Sequence, residues 1–237
     1  MPADRPHTGP RFRLPVEWLG ILPFLIFAVL FLILPTMKIV IGAFQTADGS
    51  FTLQNLIDLN NASIRSAYWT SLKLSFVTAL LGCAIGFAMA AAVVFGGLPK
   101  GARNPLITFS GVASNFAGVP LAFAFIATLG PVGLVTVWLR TEFGINLRAM
   151  GFNLLSFWGL VITYLFFQIP LMILIIIPAL DGLKREWREA AAVLGATGAQ
   201  YWRMVALPIL FPSLLGTFAL LFANAFGAVA TAFALTG

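Results

Sequence analysis

The chain has 237 residues, 60% of them hydrophobic and 9% charged, with a formal net charge of +6 and a mean hydropathy of +0.97. Soluble globular domains carry about a quarter of their residues as charges, so this composition excludes that class and defines an integral membrane protein. The basic residues gather in a few segments, the pattern of membrane topology and not of a nucleic-acid surface, so the lipid bilayer is the expected partner and nucleic acid is not.

Apolar residues come in runs of about twenty or more, not in short alternating strands, so the spans are helices and not the strands of a barrel. The expected fold class is all-α, a polytopic transmembrane helix bundle with five spans. They lie at about Trp18 to Phe44, Trp69 to Phe95, Pro105 to Leu129, Leu155 to Ala179 and Ile209 to Val229. Residues 1–17 form a tail, and 18–237 a single transmembrane domain. The tail holds Arg5, Arg11 and Arg13 but also Asp4 and Glu17, and the first apolar run is long and ends without a small-residue cleavage site, so it is a retained span and no signal peptide.

The outer segment from Gln45 to Ala67 is polar, with Asp48-Gly49 as a turn signal. On the second span Gly82, Gly86 and Ala90 recur at four-residue spacing, which predicts a close-packing face. The single Cys83 lies among them as a small packing residue. The outer segment from Gly130 to Asn153 carries Pro131, Gly133, Gly144 and Gly151 around an apolar stretch, read as a short helix at the bilayer edge. Ala225 to Gly237 reads as the start of an outer turn. With the tail in the cytoplasm, the inner side holds Arg5, Arg11, Arg13, Lys100, Arg103, Lys184, Arg185, Arg188 and Arg203, against Arg65, Arg140 and Arg148 outside. Positive-inside counting favours that orientation.

Between the fourth and fifth spans lies a hydrophilic island from about Asp181 to Pro208. Ala190, Val193, Leu194 and Thr197 fall on one helical face, and Asp181 precedes Lys184 and Arg185 at the spacing of acid-before-base pairs. Gly195 and Gly198 interrupt the run. Thr197 to Gln200 matches a capping box, so a second helix is expected near Gly198, carrying Tyr201, Trp202 and Arg203 toward a membrane interface. From pattern alone the island is a docking element or an amphipathic connector lying on the membrane.

Glu189-Ala190-Ala191, three residues, Gly195, a gap of about a dozen residues and Leu207-Pro208 resembles the EAA loop of permease subunits of bacterial binding-protein-dependent ABC importers. The resemblance implies a cytoplasmic coupling helix seated in a cleft of an ATP-binding cassette subunit, with Glu189, Ala190, Ala191, Gly195 and Pro208 as its coupling residues. Small side chains let two helices approach, a glycine admits a partner backbone, and a carboxylate pairs with a basic or amide group. Pro208 suits the first turn of the next span. Also implied are a bacterial inner-membrane location, a second permease subunit, an extracytoplasmic solute-binding protein, no cofactor and alternating access driven by ATP. The segments Asn115-Phe-Ala-Gly-Val-Pro120 and Phe51-Thr-Leu-Gln-Asn-Leu56 look most like permeases for polyamines and their relatives carrying iron(III), phosphonates or sulfate. Because the family core usually ends with a further span, the chain is expected to lack a C-terminal sixth one.

Chemistry of other kinds lacks raw material. No Gly-x-x-x-x-Gly-Lys-Ser/Thr loop is present for ATP, and the only histidine, His7, has no ligand cluster around it. Ser75, Ser110, Ser114 and Ser156 have no histidine or intramembrane carboxylate to activate them, so no catalytic residue and no metal site is assigned. A secondary transporter or channel is the alternative, through a sodium site of carbonyls and hydroxyls. Ser114, Asn115, Thr163, Tyr164, Gln168 and Asn224 must find partners away from lipid, either lining a water-filled route or holding helices together.

Overall fold

The structure, a computed structural model, describes residues 17–96 and 100–236. The tail residues Arg5, His7, Arg11 and Arg13 lie outside the described residues. The chain divides into two compact units at Ser66 and Ala67.

In the first unit an unbroken helical run passes from α1 (Glu17–Ala28) through a π-helical stretch (Val29–Ile33) into α2 (Leu34–Ala43). The stretch opens because Pro35 follows: its ring clashes with the carbonyl four residues back, and widening the turn relieves the contact. The run from Gly20 to Ala43 is long and apolar enough to cross a membrane, and none of it is buried within the protein. The predicted turn follows it. Gly49 adopts φ +79°, Thr46 N–H donates to the Ser50 carbonyl at 2.9 Å, and Thr52 N–H to that of Phe44 at 2.9 Å. Asn55, in the short α3 (Gln54–Asp58), ties the turn down by donating to the Gln45 carbonyl at 3.0 Å.

The second unit takes in most of α4 (Ala62–Phe95), then α5 (Lys100–Asn115), α6 (Gly118–Leu129), α7 (Leu134–Phe143) and α8 (Phe157–Asp181). It continues with α9 (Arg185–Val193), α10 (Gly198–Tyr201), α11 (Leu207–Gly227) and α12 (Val229–Thr236). Five segments of the described residues are long and apolar enough to span a bilayer, so the protein is an all-α polytopic bundle. Among the described residues the only β pairing is an isolated bridge between Gln45 and Phe51.

α8 is the axis of packing. Burial covers 56% of its apolar window, against 22–33% for the other spans of this unit. Met172, Ile173, Ile176 and Leu180 pack with Ala79 and Ala90 of α4 and Leu210 and Leu221 of α11. Val161, Tyr164 and Phe167 form a second cluster with Leu74, Leu121 and Ala225. The small-residue face of α4 meets α8 as expected, with Gly82 opposite Gln168 and Gly86 opposite Met172. Cys83 packs there too, its thiol 3.8 Å from the Met172 sulfur.

Two expectations change. The span expected from Pro105 to Leu129 is two helices, because α5 ends at Asn115 and Gly118, at φ +73°, starts α6 in a new direction. The apolar stretch long enough to cross here is Gly118–Phe143, with the turn at 130–133 inside it. The outer segment does contain the expected short helix, α7. The segment from Ala225 is helical and not an open turn: α12 packs on α6, Leu235 is buried, and Thr231 Oγ1 accepts from Gly118 N–H at 2.8 Å. It thereby satisfies an amide that the break in the α5–α6 helix leaves free.

Candidate functional site

The polar island folds as a rigid helix–turn–helix. α8 ends at Asp181, whose carboxylate is paired with Arg103 of α5, not with Lys184 or Arg185 as their spacing suggested. Arg185 instead reaches forward one turn to Glu189, Nε to Oε1 2.9 Å, the i,i+4 contact of an exposed helix face.

α9 closes in a Schellman motif. Gly195 N–H donates to the Ala192 carbonyl at 3.0 Å and Ala196 N–H to the Ala191 carbonyl at 3.0 Å. Such a cap requires a left-handed residue between them. Gly195 supplies it with φ +77°, and a Cβ built there would meet nothing within 4 Å. The chain reversal therefore demands the glycine on its own account.

The capping box forms as expected. Thr197 Oγ1 accepts from Gln200 N–H at 3.3 Å and Gln200 Oε1 accepts from Thr197 N–H at 2.7 Å. Thr197 thus belongs to the second helix and leaves the face expected for Ala190, Val193 and Leu194. Only Ala196 separates the two caps, so the angle between α9 and α10 is fixed by hydrogen bonds at both ends.

A second π-helical stretch (Trp202–Ala206) joins α10 to α11 and again runs into a leucine–proline pair, Leu207-Pro208. Pro208 therefore sits inside a continuous helical path, where it opens the preceding turn, and not at a free helix start. The helix–turn–helix is attached to α11 through that bend.

The exposed residues of α9 include Arg185, Glu186, Arg188 and Glu189, and its most exposed apolar side chains lie at the tip. Val193 and Leu194 are 88% and 87% exposed, two adjacent aliphatic side chains presented by a well-capped turn. Ala190 is exposed and Ala191 half-buried. Such an apolar tip on a charged element has the character of a contact surface.

Five of the six polar span residues have hydrogen bonds of their own. Ser114 and Asn115 donate to the Gly111 carbonyl of their own helix at 3.2 and 2.9 Å, and Thr163 to that of Gly159 at 3.0 Å. Tyr164 donates across to the Ala228 carbonyl at 2.8 Å. Gln168 Nε2 donates to Thr78 Oγ1 at 3.3 Å. Asn224 stands in the wall of an open cavity of 350 Å³, beside Gly118, Phe167 and Thr231. Sequence reasoning missed Thr231, which carried no signal beyond its place in a stretch taken for a turn, and Arg103, whose partner is far away along the chain.

Fold and element define a polytopic membrane subunit carrying an outlying helix–turn–helix. The model of the binding-protein-dependent transport system inner membrane component matches residues 82–237, and the chain belongs to that family. A protein of Salmonella choleraesuis, provisionally named 2-aminoethylphosphonate transport system permease protein PhnU, is 29% identical over 97% of this chain and 79% of its own. The sulfate transport system permease protein CysT of Salmonella typhimurium is 27% identical over 86% of this chain and 69% of its own. A crystal structure of a bacterial ABC transporter involved in the import of the acidic polysaccharide alginate contains a similar fold. Its TM-score is 0.68 at 18% identity, covering 89% of this chain and 73% of that one.

Proposed function

We propose that this permease couples to an ATP-binding cassette subunit through α9 and α10, and forms half of a solute pathway with a second permease, the same chain or a homologue. The observation that supports this is the build of the element: two caps back to back, a charged surface and the exposed Val193 and Leu194 at its tip. A partner that moves this body moves α11 through the bend before Pro208. Glu189, Ala190 and Ala191 supply the contact face, and Gly195 and Pro208 hold its geometry.

The tail and the element lie in the cytoplasm, an extracytoplasmic solute-binding protein meets the opposite side, and residues 18–237 act as one transmembrane domain in the bacterial inner membrane. The chain performs no bond chemistry; hydrolysis belongs to the ATP-binding subunit. Of the polar span residues, Asn224 beside the α5–α6 break belongs to the pathway, Tyr164 and Gln168 tie helices together, and Ser114, Asn115 and Thr163 are satisfied within their own helices. The names of the relatives favour a small oxyanion, such as a phosphonate or sulfate, over a polyamine.

Uptake into cells or proteoliposomes tests the reading. It should require ATP, survive collapse of proton and sodium gradients, and be competed by phosphonates or sulfate. Uptake that follows an ion gradient would establish the secondary-transporter alternative.

A further inference from the structure

Between α9 and the spans a cleft of 640 Å³ opens, lined by the rings of Phe95, Tyr201 and Trp202, by Lys184, Arg185 and Arg188, and by one carboxylate, Glu189. Trp202 stands edge-on to Phe95 at 5.5 Å and to Phe87 at 6.2 Å. Phe95 closes α4, a helix long and apolar enough to cross a membrane, so these rings mark the depth at which a span leaves the hydrocarbon. Arg185 is already occupied by Glu189, and the Lys184 ammonium lies over the Trp187 ring at 5.9 Å. Among the described residues no carboxylate pairs with Lys184 or Arg188.

Two cations without acidic partners, sharing a cleft with aromatic rings at the end of a span, match an anionic phospholipid. The rings accept the glycerol region, and the guanidinium and ammonium bind phosphate oxygens. A free phosphate would need a polar cup, and half of this one is aromatic and aliphatic. We propose that the cleft holds the headgroup of an anionic phospholipid, with Arg188 and Lys184 as its phosphate ligands. The site is independent of the coupling reading, since it faces the spans and needs no other subunit.

The test is native mass spectrometry of the purified full chain, released from nanodiscs in which phosphatidylglycerol is titrated into phosphatidylcholine. One phosphatidylglycerol should be retained in preference to phosphatidylcholine. Arg188→Gln should raise the half-saturating fraction about fivefold, the equivalent of the ~1 kcal/mol that each basic group near an anionic surface contributes. Adding Lys184→Gln should raise it further, while Arg188→Lys should keep retention near the original and serve as the folded control. Arg148→Gln removes the same charge beyond the other end of α8 and should leave retention unchanged. Retention that is equal for the two lipids, indifferent to Arg188→Gln, or lost equally in Arg148→Gln would overturn the proposal. So would binding of inorganic phosphate to the detergent-solubilised chain with the same Arg188 dependence.

Discussion

Gly86 of α4 lies so close to Met172 of α8 that a Cβ on the glycine would stand 2.6 Å from the methionine's own Cβ and 3.0 Å from the Ile169 carbonyl. Without a hydrophobic driving force between helices in lipid, such approach is what joins α4 to the central helix. Gly86→Ala should therefore destabilise the bundle by about 1–3 kcal/mol, the usual range for overpacking a tight core. At Gly82 the nearest atom is the Gln168 Cβ, at 2.9 Å, and the backbone stands back at 3.7 Å. Gly82→Ala should cost less. Denaturation of the detergent-solubilised protein checks the order, and equal losses would refute the packing argument.

Beside Gly82, Gln168 is fully buried with its Nε2 on Thr78 and its Oε1 without a hydrogen-bond partner among the described residues. The bond gains about 0.6 kcal/mol by the average for membrane helices, while the unpaired oxygen costs about 1–3 kcal/mol. Gln168→Leu should thus be neutral or stabilising, whereas Thr78→Val strands the amide and should destabilise by about 1–2 kcal/mol. The same unfolding measurement separates them. A strongly destabilised Gln168→Leu protein would refute this balance.

Orientation can be settled by thiol labelling. With Cys83→Ser as background, Asp48→Cys, Asn146→Cys and Gln200→Cys are introduced singly and treated in intact cells with an impermeant reagent. The basic-residue asymmetry predicts labelling of the first two and protection of the third. Labelling at position 200 from outside would place α9 and α10 on the wrong side for an ATP-binding subunit.

How much of this was legible follows the range of each interaction. The Thr197–Gln200 box and the Asp48–Gly49 turn are local rules and could be read directly. The Gly82–Gly86 face was legible because a period of four implies a partner helix, although not which one. Asp181 was misassigned because spacing sees only near neighbours, and its partner Arg103 comes from another helix. The α5–α6 break was hidden inside an apolar run: Gly118 and Pro120 stood in plain sight, but hydropathy is blind to direction, and only packing against Thr231 fixes the turn. At the candidate site the structure adds a local reason for two residues that the resemblance had marked. Gly195 is set by its positive φ and Pro208 by the π-helical stretch before it, neither of which leaves a distinct mark in one sequence.

The sharpest prediction separates contact from geometry in the α9–α10 element. Gly195→Asn keeps a residue that tolerates left-handed backbone, and open space surrounds its Cβ, so the turn and ATP-driven uptake should survive nearly intact. Gly195→Val forces a β-branched residue to φ +77°, costing about 1–2 kcal/mol and reorienting α10 against α9. Uptake should fall while the amount of protein in the membrane stays near normal, because the strain sits in an exposed turn outside the packed spans. Glu189→Lys tests contact instead. It replaces the 2.9 Å pair with Arg185 by repulsion, but an exposed i,i+4 pair contributes only about 0.3–0.5 kcal/mol to folding. Any large loss of uptake must then come from the surface that meets a partner. Copurification of the ATP-binding subunit should drop in Glu189→Lys and in Gly195→Val and hold in Gly195→Asn. Normal copurification and uptake in all three would reduce the element to a connector between α8 and α11.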